Sequence, residues 1–192
     1  AAKAHDARVA MAATREFLAK QEGRQKANRR SDNSYVAAGP RETVQVDLAD
    51  FQGFGPPTEF RYALVGVDVF TKLAFAKPVK GKTPDETATV MEDALKTYGL
   101  VKHCYTDLGG EFTNAFSDVL RRNLVNHITS RTPPAFVERL IRTLKSGVRE
   151  RQGALPNTPW WRLLEPVVEE YNEEKHTTTE VTPKAAAKLS WE

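Results

Sequence analysis

The feature that most constrains this chain is the order in which its apolar periodicity changes. Three strand-like runs come first, at 43–50, 61–70 and 73–79, and strands joined by one polar loop and one tight connection form an antiparallel meander. In the first run, TVQVDLAD, Val44, Val46 and Leu48 alternate with Gln45 and Asp47. Thr83, Pro84 and Glu86 then form a capping box with proline at the first helical position. Met91, Ala94, Leu95 and Tyr98 give that helix an apolar face, and Gly99 stops it. The crossover is long enough to lay the next short run, 101–106, parallel to the first strand. A helix with Phe116, Val119, Leu120 and Leu124 leads to a last strand at 125–129. Two helices close the pattern, the second carrying Trp160, Leu163, Leu164, Val167, Val168 and Tyr171, with Pro166 expected to kink or divide it. The fold class is therefore α/β: a five-stranded mixed sheet, a meander of three strands plus two parallel strands, flanked by helices.

Isolated carboxylates mark where chemistry can sit on such a sheet. Asp47 lies in the middle of the first strand, where a charge is unfavourable unless paired or coordinated. Asp107 follows the 101–106 strand at its C-terminal end, the edge of an open α/β sheet where loops surround ligands. Asp50 and Asp68 are rivals, but each stands near a strand end, where capping a turn is the commoner use.

The third carboxylate is on the helix that begins near residue 135, AFVERLIRTLK. Val137, Leu140, Ile141, Leu144 and Val148 recur at helical spacing and mark its buried side. Glu138, Arg142, Lys145 and Arg149 share the other side, one carboxylate followed by three cations, each a turn from the last. Such a stripe is ordinarily a solvated salt-bridge face. Alongside Asp47 and Asp107 it reads as a ladder facing a metal and then a run of phosphates. Three oxygen-only acids without a His or Cys partner suit Mg²⁺ or Mn²⁺ rather than zinc. Two such ions favour in-line displacement at phosphorus.

Charge follows the same division. Residues 43–120 hold seven Lys/Arg against eleven Asp/Glu, whereas 121–151 hold eight against two, so an acidic sheet adjoins a basic helical region suited to phosphates. The single cysteine, Cys104, excludes an internal disulfide and disfavours a Cys-based zinc site, and the four histidines lack ligand spacing. No run is long enough to cross a bilayer and nothing at the start resembles a signal peptide, so a soluble, intracellular protein with no membrane partner is expected. Residues 1–40 read as an N-terminal helical and basic arm with a linker, and 41–192 as the core domain. The polar run 24–33 is either a solvated connector or a DNA-contacting arm.

The motifs at these positions resemble the catalytic core of the retroviral integrase family and its retrotransposon and transposon relatives. Asp47 in VDLAD, Asp107 in YTDLGGEF and Glu138 in VERLIRTLK match the family's Asp, Asp and Glu. VGVDVFTKLAFAKPV resembles its second and third strands, and YNEEKHTTTEVTP its closing segment. The resemblance implies an RNase H-like fold and a polynucleotidyl transferase with endonuclease activity. Asp47, Asp107 and Glu138 are then the catalytic residues and the ligands of two Mg²⁺ or Mn²⁺ ions. Water first cuts near a mobile element's 3′ ends, and the freed hydroxyls attack target DNA. The candidate DNA contacts are Arg131, Arg139, Arg142, Lys145 and Arg149. The implied partners are element ends, target DNA and further copies of the chain, as a dimer or tetramer, in the nucleus if the host is eukaryotic. Two departures stand out. Leu108 replaces the usual asparagine, and the interval from Asp107 to Glu138 is shorter than in retroviral members, with the shortfall at 131–136. A domesticated, inactive nucleic-acid-binding module and an RNase H-type nuclease are the alternative functions.

Overall fold

The computed structural model describes residues 37–55, 59–99, 101–177 and 180–189. The expected arm helix and the 24–33 run lie outside these residues. Five strands, β1 (Thr43–Asp50), β2 (Tyr62–Asp68), β3 (Ala74–Val79), β4 (His103–Thr106) and β5 (Asn126–Thr129), form one sheet in the order β3-β2-β1-β4-β5. The first three pair antiparallel; β4 runs parallel to β1, and β5 parallel to β4. The expected mixed sheet is present strand for strand.

Alternation along β1 divides the molecule into two layers. Val44, Val46 and Leu48 enter a core with Met91, Ala94 and Leu95 of α1 (Pro84–Tyr98) and Phe116, Val119 and Leu120 of α2 (Ala115–Arg122). Ala49, Val65 and Val67 enter the opposite core, against Val137, Leu140, Leu144 and Val148 of α3 (Ala135–Ala154) and Trp160, Leu163, Leu164, Val167 and Val168 of α4 (Trp160–Glu173). Asp47 and Gln45 share the parity of Ala49, which turns them toward α3.

Local chemistry explains the element ends. Thr83 and Glu86 close the capping box of α1, with Pro84 in its first turn and Gly99 at its end at φ 102°. Asp68 accepts hydrogen bonds from the Arg41, Phe70 and Thr71 amides, and Asp50 accepts from Gln52. Both are the turn-forming acids the sequence suggests. At Gly66 the Phe75 ring of the facing strand lies where a Cβ would stand, 2.2 Å from that position. Asn172 near the end of α4 accepts from the Ala74 amide at 2.8 Å and donates to the Ala74 carbonyl at 2.9 Å, pairing with the outer edge of β3 like a short strand.

Two expectations require correction. Leu124 does not extend the apolar face of α2, which ends at Arg122. It takes φ 58° and is 91% exposed, while the Val125 amide reaches back to the Leu120 carbonyl and the Leu124 amide to Arg121. This is a Schellman turn with leucine at its left-handed position. Pro166 does not divide α4, which runs unbroken from Trp160 to Glu173. It lies on the exposed side between the buried pairs Leu163/Leu164 and Val167/Val168. The carbonyl that loses its helical partner can therefore bond to water while packing holds the helix together. α5 (Pro183–Ala186), capped by Thr182, completes the described chain and packs Ala186 beside Ala37, Val69 and Phe70.

Candidate active site

Asp47 is the partly buried centre of the site. Its Oδ1 accepts from the Leu48 amide at 2.7 Å. Burial is the main influence raising its carboxyl above the usual carboxylate range; the Leu48 bond opposes this, and the charges of Asp107, Glu138 and Glu111 add to it. Four acids that come together only on folding thus share one electrostatic neighbourhood.

Each arrives by a different route. Glu138 stands in the first turn of α3, where the helix dipole favours a carboxylate. Asp47, Leu48, Ala49 and Asp50 of β1 line one groove with Glu138, Ile141, Arg142 and Lys145 of α3. Asp107 lies two residues past the paired positions Gln45 and Tyr105 of the parallel strands β1 and β4, and Asp47 lies two past on the other strand. Asp107, just past the end of β4, therefore stands level with Asp47 on the neighbouring β1. Asp107 Oδ1 accepts from the Gly109 amide at 2.9 Å. A Cβ at Gly109 would stand 2.8 Å from Glu111 Oε2 and 3.0 Å from Asp107 Oδ1, so the absent side chain leaves a cradle between two carboxylates. Glu111 is held from behind by Thr87, whose hydroxyl donates to its carbonyl at 2.6 Å.

Among the described residues, no three His, Cys, Asp or Glu side chains are disposed as a ready cation-binding group. The donor set nevertheless fits a divalent cation: all donors are carboxylate oxygens, burial and then the charges of its acidic neighbours raise Asp47, and the Gly109 cradle lies between Asp107 and Glu111.

The predicted cations divide by their angle around α3. Arg142 and Lys145 line the groove. Lys145 Nζ stands 5.8 Å from the centre of the Phe51 ring, and the Arg149 guanidinium 4.6 Å from that of Phe54, one turn further on. Arg139 follows Glu138 directly and is therefore rotated by about 100° from it; its charge acts on Lys72 and Tyr171. Arg131 is exposed in the loop before α3 and does not line the groove. The structure thus brings together Asp47, Glu138, Arg142 and Lys145 and places Asp107 just past the end of the adjacent strand. It extends the ladder through Arg149 and leaves Arg131 and Arg139 apart.

Several supporting residues carried no distinctive sequence signal. Phe51, stacked on Trp160 at 4.3 Å and 10°, makes the tryptophan part of the core beneath the groove. His127 lies between the Thr106 and Ser117 hydroxyls at 2.9 and 3.0 Å, and burial lowers its pKa. Thr106 Oγ1 also donates to the Asp107 carbonyl, so His127 braces the loop that carries Asp107. Gln45, 4% exposed, accepts from the Phe136 and Val137 amides at 2.9 and 3.4 Å. Glu111 could have been suspected from its place in YTDLGGEF, and Gln45 from sharing a strand face with Asp47.

No family model matches the chain. A transposon-derived protein of Caenorhabditis elegans is 31% identical over 115 residues, which cover 58% of this chain and 40% of that protein. The chain thus spans about two fifths of that relative. Among solved structures, the HTLV-2 integrase catalytic core domain in complex with magnesium is similar in its trimeric form at TM-score 0.69 and 19% identity, over 79% of this chain and 99% of that one. Its dimeric form gives 0.68 over the same shares. A simian T-cell lymphotropic virus intasome chain gives 0.75 at 21% identity, over 82% of this chain and 58% of that one. The fold is the RNase H-like architecture of retroviral integrase catalytic cores.

Proposed function

We propose that this chain is the catalytic core of a DNA integrase or transposase, carrying out divalent-metal-dependent 3′-end processing and strand transfer for a mobile element. The observation that carries the reading is that Asp47 and Glu138 share one groove with Arg142 and Lys145, on an integrase-core fold. Asp107, one strand away, completes the acid set. Asp47, Asp107 and Glu138 would hold Mg²⁺ or Mn²⁺, which when bound supplies charge to activate the attacking oxygen and stabilise the leaving one. The HTLV-2 neighbour is described in complex with magnesium, which supports that choice.

The chain's own residues bind and orient. Arg142 and Lys145 sit on the groove wall beyond Glu138, where a phosphate backbone leaving the acids would pass, and Arg149 continues the track. In end processing, water oxygen attacks phosphorus and the strand's 3′ oxygen leaves with a proton. In strand transfer, the freed 3′-hydroxyl attacks a target phosphodiester; one P–O bond forms as one breaks, so no external energy source is required. Two DNA segments must meet at one site, which supports an assembly of several copies. Dimeric and trimeric forms and an intasome among the structural neighbours agree with this.

The test is joining of oligonucleotides carrying the element's ends, with Mg²⁺ or Mn²⁺, by wild type and Glu138→Gln. Joined products present in wild type and lost in a folded Glu138→Gln variant are expected; activity retained in the variant refutes the assignment. Cutting without joining indicates a nuclease. One observation favours a second reading, a nucleic-acid-binding module without catalysis: Leu108 beside Asp107 is apolar and 58% exposed. DNA binding by a folded wild type that neither cuts nor joins selects it.

A further inference from the structure

Helix α3 has a problem at its start that its own sequence does not solve. The first amides of a helix have no intrahelical acceptors, and its N-cap residue, Pro134, makes no side-chain capping bond. The acceptor comes from the sheet. Gln45, 91 residues earlier and inside β1, directs Oε1 at the Phe136 amide at 2.9 Å and the Val137 amide at 3.4 Å. The loop that delivers the helix is tied to β4 as well, because the Tyr105 hydroxyl donates to the Thr132 carbonyl at 3.2 Å.

The position of this cap matters more than its existence. Gln45 precedes Asp47 by two residues on the same face of β1, and Phe136 precedes Glu138 by two on α3. Strand and helix rise by about 3.3 and 1.5 Å per residue, so each carboxylate is only a few ångströms of stiff backbone from the bond. A contact that close to both leaves little freedom in their separation. A shift of α3 along or away from the sheet strains this bond directly.

We infer, resting on the function proposed above, that Gln45 is a positioning residue: by capping α3 from within β1, its amide oxygen sets where Glu138 stands relative to Asp47. A neutral acceptor suits the task. It satisfies the amides without adding a further charge beside Asp47, whose neighbours already raise it.

The test compares full-length wild type with Gln45→Met, which keeps an unbranched side chain of similar length without an oxygen, and Gln45→Glu, which keeps an acceptor. Amide hydrogen exchange is read by NMR, and strand transfer is measured over a range of DNA concentrations. In Gln45→Met, exchange at Phe136 and Val137 should accelerate about tenfold or more while β1 and β2 keep their protection. The maximal joining rate should fall about tenfold or more, with the half-saturating DNA concentration unchanged. Gln45→Glu should keep the protection, while its added charge beside Asp47 should limit recovery of the rate. Unchanged exchange at the two amides in Gln45→Met overturns the cap. Accelerated exchange with an unchanged joining rate overturns the positioning role. A wild type that joins no DNA refutes the proposed function instead, and the Gln45→Met crystal structure then decides: an Asp47 to Glu138 separation equal to wild type overturns the positioning role, and a changed one upholds it.

Discussion

Replacing Asn172 with leucine should cost this protein a large part of its stability. Its side chain is 5% exposed and satisfies both backbone groups of Ala74, itself buried, at the edge of β3. Leucine fills similar space but leaves an amide and a carbonyl without partners, each at a cost of about 1–3 kcal/mol. The apolar burial gained offsets part of this, leaving a loss of about 2–4 kcal/mol. For a domain of this size that is a fall in melting temperature of roughly 5–12 °C. Urea unfolding followed by circular dichroism measures it, with an unchanged denaturant slope expected. Asn172→Asp separates this account from simple loss of packing. Its carboxylate still accepts from Ala74 N–H but faces the Ala74 carbonyl, so burial should raise its pKa. The variant should accordingly gain stability as pH falls and the acid regains a proton to donate. Asn172→Leu within about 0.5 kcal/mol of wild type would refute the reasoning.

Two further perturbations test other features. Leu124→Gly should stabilise by about 0.5–1 kcal/mol, because relief of a left-handed leucine outweighs the added unfolded-state entropy of glycine and almost no packing is lost; thermal unfolding checks it, and a lower melting temperature would contradict it. Burial lowers the Lys72 ammonium from 10.5 to about 8, against the pull of Asp68 and with a smaller push from Arg139. Between those values the unfolded chain holds a proton that the folded chain has lost, so stability conferred by this residue rises with pH across that window. The wild type should gain on Lys72→Met by up to roughly 3 kcal/mol from pH 7.5 toward 10.5. A constant difference in urea unfolding would remove Lys72 as the cause.

Elements governed by local rules could be read from the chain. The change of period from two to 3.6, the Thr83 capping box and the long crossover before β4 were enough to give the sheet its strands and directions. The site was legible to the extent that it follows helix geometry: Glu138, Arg142 and Lys145 share a stripe, and the groove contains all three. Arg139 followed the same rule to a different side. Leu124 was misplaced because periodicity counts spacing without knowing where a helix ends, and no glycine marks the turn there. Gln45 and Asn172 find their partners 91 and 98 residues away. Nothing beside Asn172 in sequence distinguishes a polar residue bound for the interior from one bound for solvent, and Gln45 is marked only by sharing a strand face with Asp47.

The aromatic rings under the basic ladder bear on the entropy of binding. A free lysine or arginine side chain on a surface samples many rotamers, and fixing one on a ligand costs about 0.5–1.5 kcal/mol. Lys145 and Arg149 already rest over Phe51 and Phe54, and Phe51 is itself fixed by its stack on Trp160. Part of the ordering that a polyanion would otherwise impose has been completed in folding. Were a nucleic acid to bind along this face as proposed, its affinity should still weaken with salt, because counterion release is unaffected, yet binding should carry a smaller entropic penalty than the same two charges on an unsupported helix.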